Sequence, residues 1–516
     1  MCTRWWLRWL AGCIGFALVV ASSPGPLSAA GPKILTVVQS GDASTLDPPH
    51  EGFNSGSAVD RSLYEGLVAF DVRMKPIPVL AQSWSISPDG LTYTIHLQPG
   101  VTFHDGTPFN AQAAKVNLDR LRDPKEDPRY ALFDMISQVK VVDDTTVQLI
   151  LSRPFSALFY NFANPDITMV SPAAMAKYGI DGLATHEDGT GPFTLVSWTK
   201  GDNLVVRRNP RYWKPGQPYV DQIVFRDVPD GTQRVAMLKT GEAQFVFPID
   251  PAGVKPLSGD PSIRLIKGPS ILVQFVGMNL LHPPFNNRDV RLALNYAIDK
   301  QTLINTLYQG YAQEMHSFVS PLLPGYKAVG SYPFDLNKAR ELLREAGYPN
   351  GFTATLWISN VTFQQRLAVF LQQQFAQIGV TLKIVALDGG SLYALENKGP
   401  GENTVQMRIS GFSPSNGSTY WQFHVVLSKA AWPPNGLSNF SFYENPAMEQ
   451  ALDAALRTTN LAQQNAGYAQ AQQMEFDDGA VIWLASPTNI AGQTTNLTGA
   501  YVVPDQTLTV QSAQLH

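Results

Sequence analysis

The chain has 516 residues, with 38 Lys and Arg against 42 Asp and Glu and a formal net charge of −4. It has no basic run or Arg-rich patch, which argues against nucleic acid as a partner. Hydrophobic residues make up 44% of the chain, enough to fill real cores, and the length suggests about three domains at roughly 150 residues each.

Residues 1–30 read as a cleavable targeting segment. Arg4 and Arg8 give a positive start, residues 14–21 a short apolar core, and Ser28-Ala29-Ala30 the small residues of a cleavage site before Gly31. The apolar run is too short to cross a bilayer comfortably. Leu10-Ala11-Gly12-Cys13 also matches a lipoprotein box, so a lipid-modified Cys13 is the competing reading, although here the apolar core follows the cysteine. Cleavage after Ala30 removes two of the 38 basic residues and none of the 42 acidic ones, moving the net charge from −4 to −6. It also removes both cysteines, Cys2 and Cys13, leaving no disulfide or thiol chemistry.

The mature chain opens with a strand at 34–38 and reaches Phe53-Asn54-Ser55-Gly56-Ser57, which reads as a polar loop. A Gly between small hydroxyl residues lets backbone N–H groups approach a carboxylate closely; an ordinary surface loop has the same composition. Pro88-Asp89-Gly90 then supplies turn chemistry before the period-two alternation of 91–97, predicting a hairpin. Asn110 stands where an N-cap opens a helix over 111–121. Strand alternation returns at 140–151, followed by a loop and helix over 152–162. The two-Gly turn Gly189-Thr190-Gly191 lacks the Gly-Lys-Ser/Thr ending of a phosphate cradle.

Further on, apolar residues at 290, 294, 297 and 298 share one helical face. A helix over 335–347 ends at Gly347 as a C-cap. Leu356-Trp357, a helix over 364–378 and a strand at 381–385 form a βαβ unit, and 480–484 reads as a buried strand. Chemistry-bearing spacings are missing. The eight histidines are scattered without a His-x-x-x-His or Cys-x-x-Cys metal spacing. No Gly-x-Ser-x-Gly elbow occurs, since Gly411-Phe412-Ser413-Pro414-Ser415 ends in Ser. No cofactor, metal or catalytic residue is expected; a secreted peptide hydrolase survives only if its acid and base come from distant positions, and turnover of a generic peptide is what separates it from a carrier.

Several strings together resemble a known family. They are Leu63-Tyr64-Glu65-Gly66-Leu67-Val68, Leu80-Ala81-Gln82-Ser83-Trp84, Ser87-Pro88-Asp89-Gly90, Phe103-His104-Asp105-Gly106, Phe109-Asn110-Ala111, the turn Gly189-Thr190-Gly191-Pro192-Phe193, and Asn209-Pro210-Arg211-Tyr212-Trp213. They resemble the signature of the family 5 extracellular solute-binding proteins, which carry peptides, glutathione, nickel complexes and similar solutes to ATP-driven importers. The resemblance implies an α/β, two-lobed periplasmic-binding-protein fold with a hinged cleft. Lobe I is then discontinuous (31–70, 190–280 and 484–516), with an inserted subdomain at 71–189, and lobe II spans 281–483. It also implies a periplasmic monomer whose partners are a small peptide-like ligand and the permease subunits of an ABC importer.

Within the family the likeness is greatest to the glutathione-binding members, through residues 237–249, 346–352, Trp432-Pro433-Pro434 and 411–421. Dipeptide-binding relatives anchor the ligand's amino group with an Asp where Ser415 stands, and its carboxylate with an Arg in a loop that is shorter here. Glutathione-like members carry acidic residues where this chain has Ser418, Thr419 and Tyr420. An unpaired buried charge costs several kcal/mol, so losing both anchors disfavours ordinary dipeptides. A dipeptide, oligopeptide or nickel-complex carrier stays open beside a glutathione carrier. The ligand-facing candidates are Asn54, Ser55 and Gly56, which the resemblance places at the cleft, with Trp357, Ser415, Ser418, Tyr420 and Trp421, Asp388 as an amine partner and Arg366 as a carboxylate clamp.

Overall fold

The computed structural model describes residues 31–434 and 438–516; the targeting segment and the lipoprotein-box reading of Cys13 fall outside them. Three sheets organise Lys33 to His516, which form one compact unit. A seven-stranded sheet is built around Ile34–Gln39, which pairs in parallel with Gln222–Asp227 on one side and Phe245–Val246 on the other. Asn489–Thr494 and Ile263–Gly268 extend one edge, and Asn203–Arg208 with Phe193–Thr199 the other, all antiparallel. Side chains on its two faces feed two separate cores.

The expected hairpin lies in a four-stranded antiparallel sheet. Ala81–Ile86 pairs with Thr92–Leu97, and Tyr93, Ile95 and Leu97 point into the core as the alternation requires. Asn110 caps helix Ala111–Leu121 by accepting from the Ala113 N–H at 3.0 Å.

The third sheet has six strands in the order Ala312–Gln313, Val481–Pro487, Val273–Met278, Met407–Phe412, Thr353–Ser359 and Thr381–Leu387. Thr353–Ser359 and Thr381–Leu387 are parallel and joined by helix Thr362–Ala376, the βαβ unit read from the sequence. One face of this sheet packs on helices, burying Leu356, Ile358, Met407 and Ile409 with Val290 and Leu294. Phe275 and Trp483 share the other core with the residues of the four-stranded sheet. On strand membership we propose that the chain crosses between the seven- and six-stranded sheets at 269–272 and again at Thr488.

Three of the recognised motifs meet in space. Glu65 accepts from the Tyr212 hydroxyl at 2.7 Å, the Trp213 Nε1–H at 2.7 Å and the Thr190 hydroxyl at 3.1 Å, so a carboxylate only 8% exposed is fully bonded. The Gly189-Thr190-Gly191 turn is a packing device. A β-carbon on Gly189 would lie 2.2 Å from the Leu63 carbonyl oxygen, and the Gly191 N–H donates to that same oxygen at 3.0 Å.

The stretch 53–57 departs from its reading as a loop. Phe53 is the N-cap and Asn54 the first residue of helix Asn54–Leu63. Ser and Gly suit a helix's first turn as well as a loop, so local composition alone could not separate the two.

Candidate functional site

The stretch 411–421 leaves strand Met407–Phe412 and enters helix Thr419–Leu427. It is held by its own backbone and by Asn161 and Asn164. The Gly417 N–H donates to the Pro414 carbonyl at 2.7 Å. Asn164 Nδ2 donates to Ser415 Oγ at 3.1 Å, and Asn416 Nδ2 donates to Asn161 Oδ1 at 2.8 Å.

That anchoring assigns the loop's side chains. Ser415 is half-buried at the loop's crest. Ser418 is buried and its hydroxyl accepts from the Trp421 N–H at 3.4 Å, capping the helix. Tyr420 stacks on His424 with centroids 5.2 Å apart and meets Phe155 edge-on at 6.5 Å; burial pushes its phenol above the usual range. Trp421 lies 5.4 Å from the same imidazole and packs against the core it shares with the four-stranded sheet.

Asn54 and Ser55 line a groove of about 150 Å³ with Gln39, Ser40, Phe247 and Gln506. Gly56 is turned to a different use. A β-carbon there would fall 2.0 Å from Glu51 Oε2. The Glu51 carboxylate accepts from the Ser44 N–H at 2.8 Å and hydroxyl at 2.9 Å, and from the Gly52 and Phe53 N–H groups at 2.8 Å each. The carboxylate that the glycine admits is therefore the protein's own.

Arg366 and Asp388 lie apart from these residues. Arg366 is exposed on helix Thr362–Ala376 and lines a shallow depression with Leu307, Val369 and Phe370, on the helix-covered side of the six-stranded sheet. Asp388 is exposed and caps helix Gly389–Glu396, accepting from the Ser391 N–H at 2.9 Å; the hydroxyl and N–H of Ser391 hold its carboxyl below the usual range.

One strand over from Trp357 lies a second pocket that the sequence reading did not find, lined by Arg408, Glu396, Tyr393 and Phe440. Trp357 pairs in register with Arg408 on the neighbouring strand, and its Nε1–H is buried without a partner among the described residues. Arg408 forms an ion pair with Glu396, both largely withdrawn from solvent, and its guanidinium lies 5.2 Å from the centre of the Phe440 ring. Burial, against the pull of Arg408, pushes the Glu396 carboxyl up to about 7. The pocket encloses about 220 Å³, and Gly411 and Phe412 from the start of the 411–421 stretch line it too. The alternation Met407-Arg408-Ile409-Ser410 was the available sequence signal, putting Arg408 and Ser410 on one strand face; nothing local tied Arg408 to Glu396.

Residues 75–434 match the model of bacterial extracellular solute-binding proteins, family 5 Middle. The chain belongs to this family. Glutathione-binding protein GsiB of Pectobacterium atrosepticum is 42% identical over 511 residues, covering 98% of each chain, and GsiB of Salmonella typhimurium is 40% identical with the same coverage. Among solved structures, the periplasmic binding protein DppA of Helicobacter pylori, in complex with the peptide STSA, superposes with a TM-score of 0.81 at 29% identity, covering 93% of this chain and 98% of that one. The fold is thus the mixed α/β, two-lobed fold of family 5, whose members bind solutes rather than turn them over. Among the described residues, no helix is long and apolar enough to cross a membrane.

Proposed function

We propose that the protein is the periplasmic solute-binding component of an ABC importer and that its solute is glutathione or a related γ-linked peptide, passed to membrane permease subunits. The observation that carries this reading is end-to-end identity of about two residues in five with proteins named as glutathione-binding. Export through the leader at 1–30, with a soluble mature chain starting near Gly31, fits a carrier that meets its solute outside the inner membrane. We draw the lining of the cleft from Asn54 and Ser55, which line the groove beside Gln39, with Ser415 and Trp357, whose indole N–H has no partner among the described residues. Ser415 carries no charge for a dipeptide's ammonium group, which places ordinary dipeptides behind γ-linked ones.

Thermal unfolding of the purified protein with glutathione, oxidised glutathione, a dipeptide set and a nickel–histidine complex tests this. A ligand that binds only the folded form raises the melting temperature with the logarithm of its excess over Kd. Glutathione or its oxidised form is expected to give the largest shift. A dipeptide or the nickel complex giving the largest shift assigns the protein to another branch of the family.

A further inference from the structure

We propose that Arg408 and Glu396 together form a receptor for an α-amino-acid head group, the end of a γ-linked peptide that carries its ammonium and carboxylate on one carbon. The inference rests on the peptide-carrier reading above and names the part of the ligand that this pocket takes.

Strand geometry puts both charges in the pocket. Met407 and Ile409 are spent on the helix-backed core, so Arg408 and Ser410 project from the opposite face. Gly277 lies across from Arg408 and Phe275 across from Ser410. The absence of a side chain at Gly277 leaves room for Phe440, whose ring comes within 2.3 Å of a β-carbon built there and covers the guanidinium. Helix Gly389–Glu396 closes the other wall with Tyr393 and Glu396.

Charge pairing in such a place has an energetic cost. Withdrawing two ions from water is commonly no better for stability than apolar side chains of the same shape. Glu396 Oε1 is taken by Arg408 Nε, no other described side chain or carbonyl takes the remaining N–H groups of Arg408, and the neighbouring Trp357 Nε1–H has no partner among the described residues. The pocket therefore offers a guanidinium and a carboxylate, with aromatic walls from Phe275, Tyr393, Phe412 and Phe440. A receptor for a simple anion has no use for Glu396, and one for a simple cation has no use for Arg408. A zwitterionic head group uses both.

Size and linkage narrow the ligand. About 220 Å³ is below the roughly 300–1,000 Å³ of a pocket for a whole drug-sized ligand, so this one takes an end. In an ordinary dipeptide the free ammonium and free carboxylate sit on different residues and cannot both enter. In a γ-glutamyl peptide they share one carbon. The pocket then supplies both of the charges that Ser415 and the shortened loop after Trp357 do not.

Calorimetric titration of glutathione and N-acetylglutathione into the wild type, Glu396→Gln and Arg408→Gln tests the assignment, with γ-glutamylalanine as a second free-headed probe. Arg408→Gln is expected to weaken free-headed probes ten- to a hundredfold. Glu396→Gln is expected to weaken glutathione at least tenfold while leaving N-acetylglutathione, which has no ammonium, within about twofold. The conservative Arg408→Lys, which keeps the charge beside Glu396, is expected to recover part of the loss and guards against a folding defect in Arg408→Gln. Wild-type affinity for glutathione in both Gln variants overturns the pocket while leaving the glutathione reading standing. If the wild type ignores glutathione but binds γ-glutamylalanine, and the variants lose it, the glutathione reading falls and the pocket stands. Binding of neither free-headed probe overturns both.

Discussion

Asn164 donates its side-chain N–H to Ser415 Oγ at 3.1 Å, linking two positions 251 residues apart. Asn416 repeats the link one residue on, through Asn161 at 2.8 Å. The 411–421 stretch is thus fixed to residues 161–164 by neutral amides, and Ser415 is presented in a defined place without carrying charge.

Ser415→Asp tests what that place faces. Family resemblance gives dipeptide binders an Asp at this position, and Asn164 is poised to donate to a carboxylate as it does to the hydroxyl. The variant is expected to bind a free dipeptide such as Met-Leu about tenfold more tightly than the wild type in calorimetric titration. Unchanged dipeptide affinity would remove Ser415 from the cleft lining.

Gly56→Ala reports on the buried Glu51 carboxylate. Alanine is normally favoured over glycine in a helix by about 1 kcal/mol, yet here its β-carbon collides with Glu51 at 2.0 Å. The collision is expected to win and to cost about 1–3 kcal/mol in urea unfolding. Gly52→Ala, where a β-carbon meets nothing within 4 Å, is the control and is expected to leave stability nearly unchanged. A stabilised Gly56→Ala would show that Glu51 can move aside freely.

The sequence disclosed what is local and hid what is paired across the chain. The hairpin around Gly90 and the Asn110 cap follow from turn residues, alternation and a side-chain acceptor within a few positions, and all are present. Glu65 with Tyr212 and Trp213 stood out only as separate strings, because their hydrogen bonds span 147 and 148 residues. Ser418 and Tyr420 drew attention as polar groups near the cleft, and the structure gives them to a helix cap and an aromatic cluster. Arg408 has no local signal of its role, because its partner Glu396 comes from a separate helix and meets it only in the folded chain.

Trp357→Phe separates packing from recognition beside Arg408, its neighbour in strand register. The indole N–H is buried and unpaired, so its removal costs no hydrogen bond in the free protein and relieves an unsatisfied donor. Stability of the ligand-free variant is expected to stay within about 1 kcal/mol of the wild type, while glutathione affinity falls about tenfold. The opposite pattern, a protein destabilised by more than about 2 kcal/mol with unaltered affinity, would make Trp357 a packing residue only.

Glu475→Gln addresses pH dependence. Glu475 is fully buried, receives the Trp483 indole N–H at 3.1 Å and leaves its second oxygen unpaired, and burial pushes its carboxyl up to about 8. In the unfolded chain the same group titrates near its ordinary value of about 4.3. Between these values the folded protein holds a proton that the unfolded chain has lost, so stability falls as pH rises. The contribution is complete below the unfolded value, is lost as pH rises through about 8, and is constant above that. Glutamine keeps the acceptor for Trp483 and has no proton to lose. The difference in unfolding free energy between variant and wild type, measured in urea at pH 5, 6.5 and 8, is therefore expected to move in the variant's favour with rising pH. A difference that stays flat across that range would mean Glu475 is ionised in the folded protein and held by partners other than Trp483.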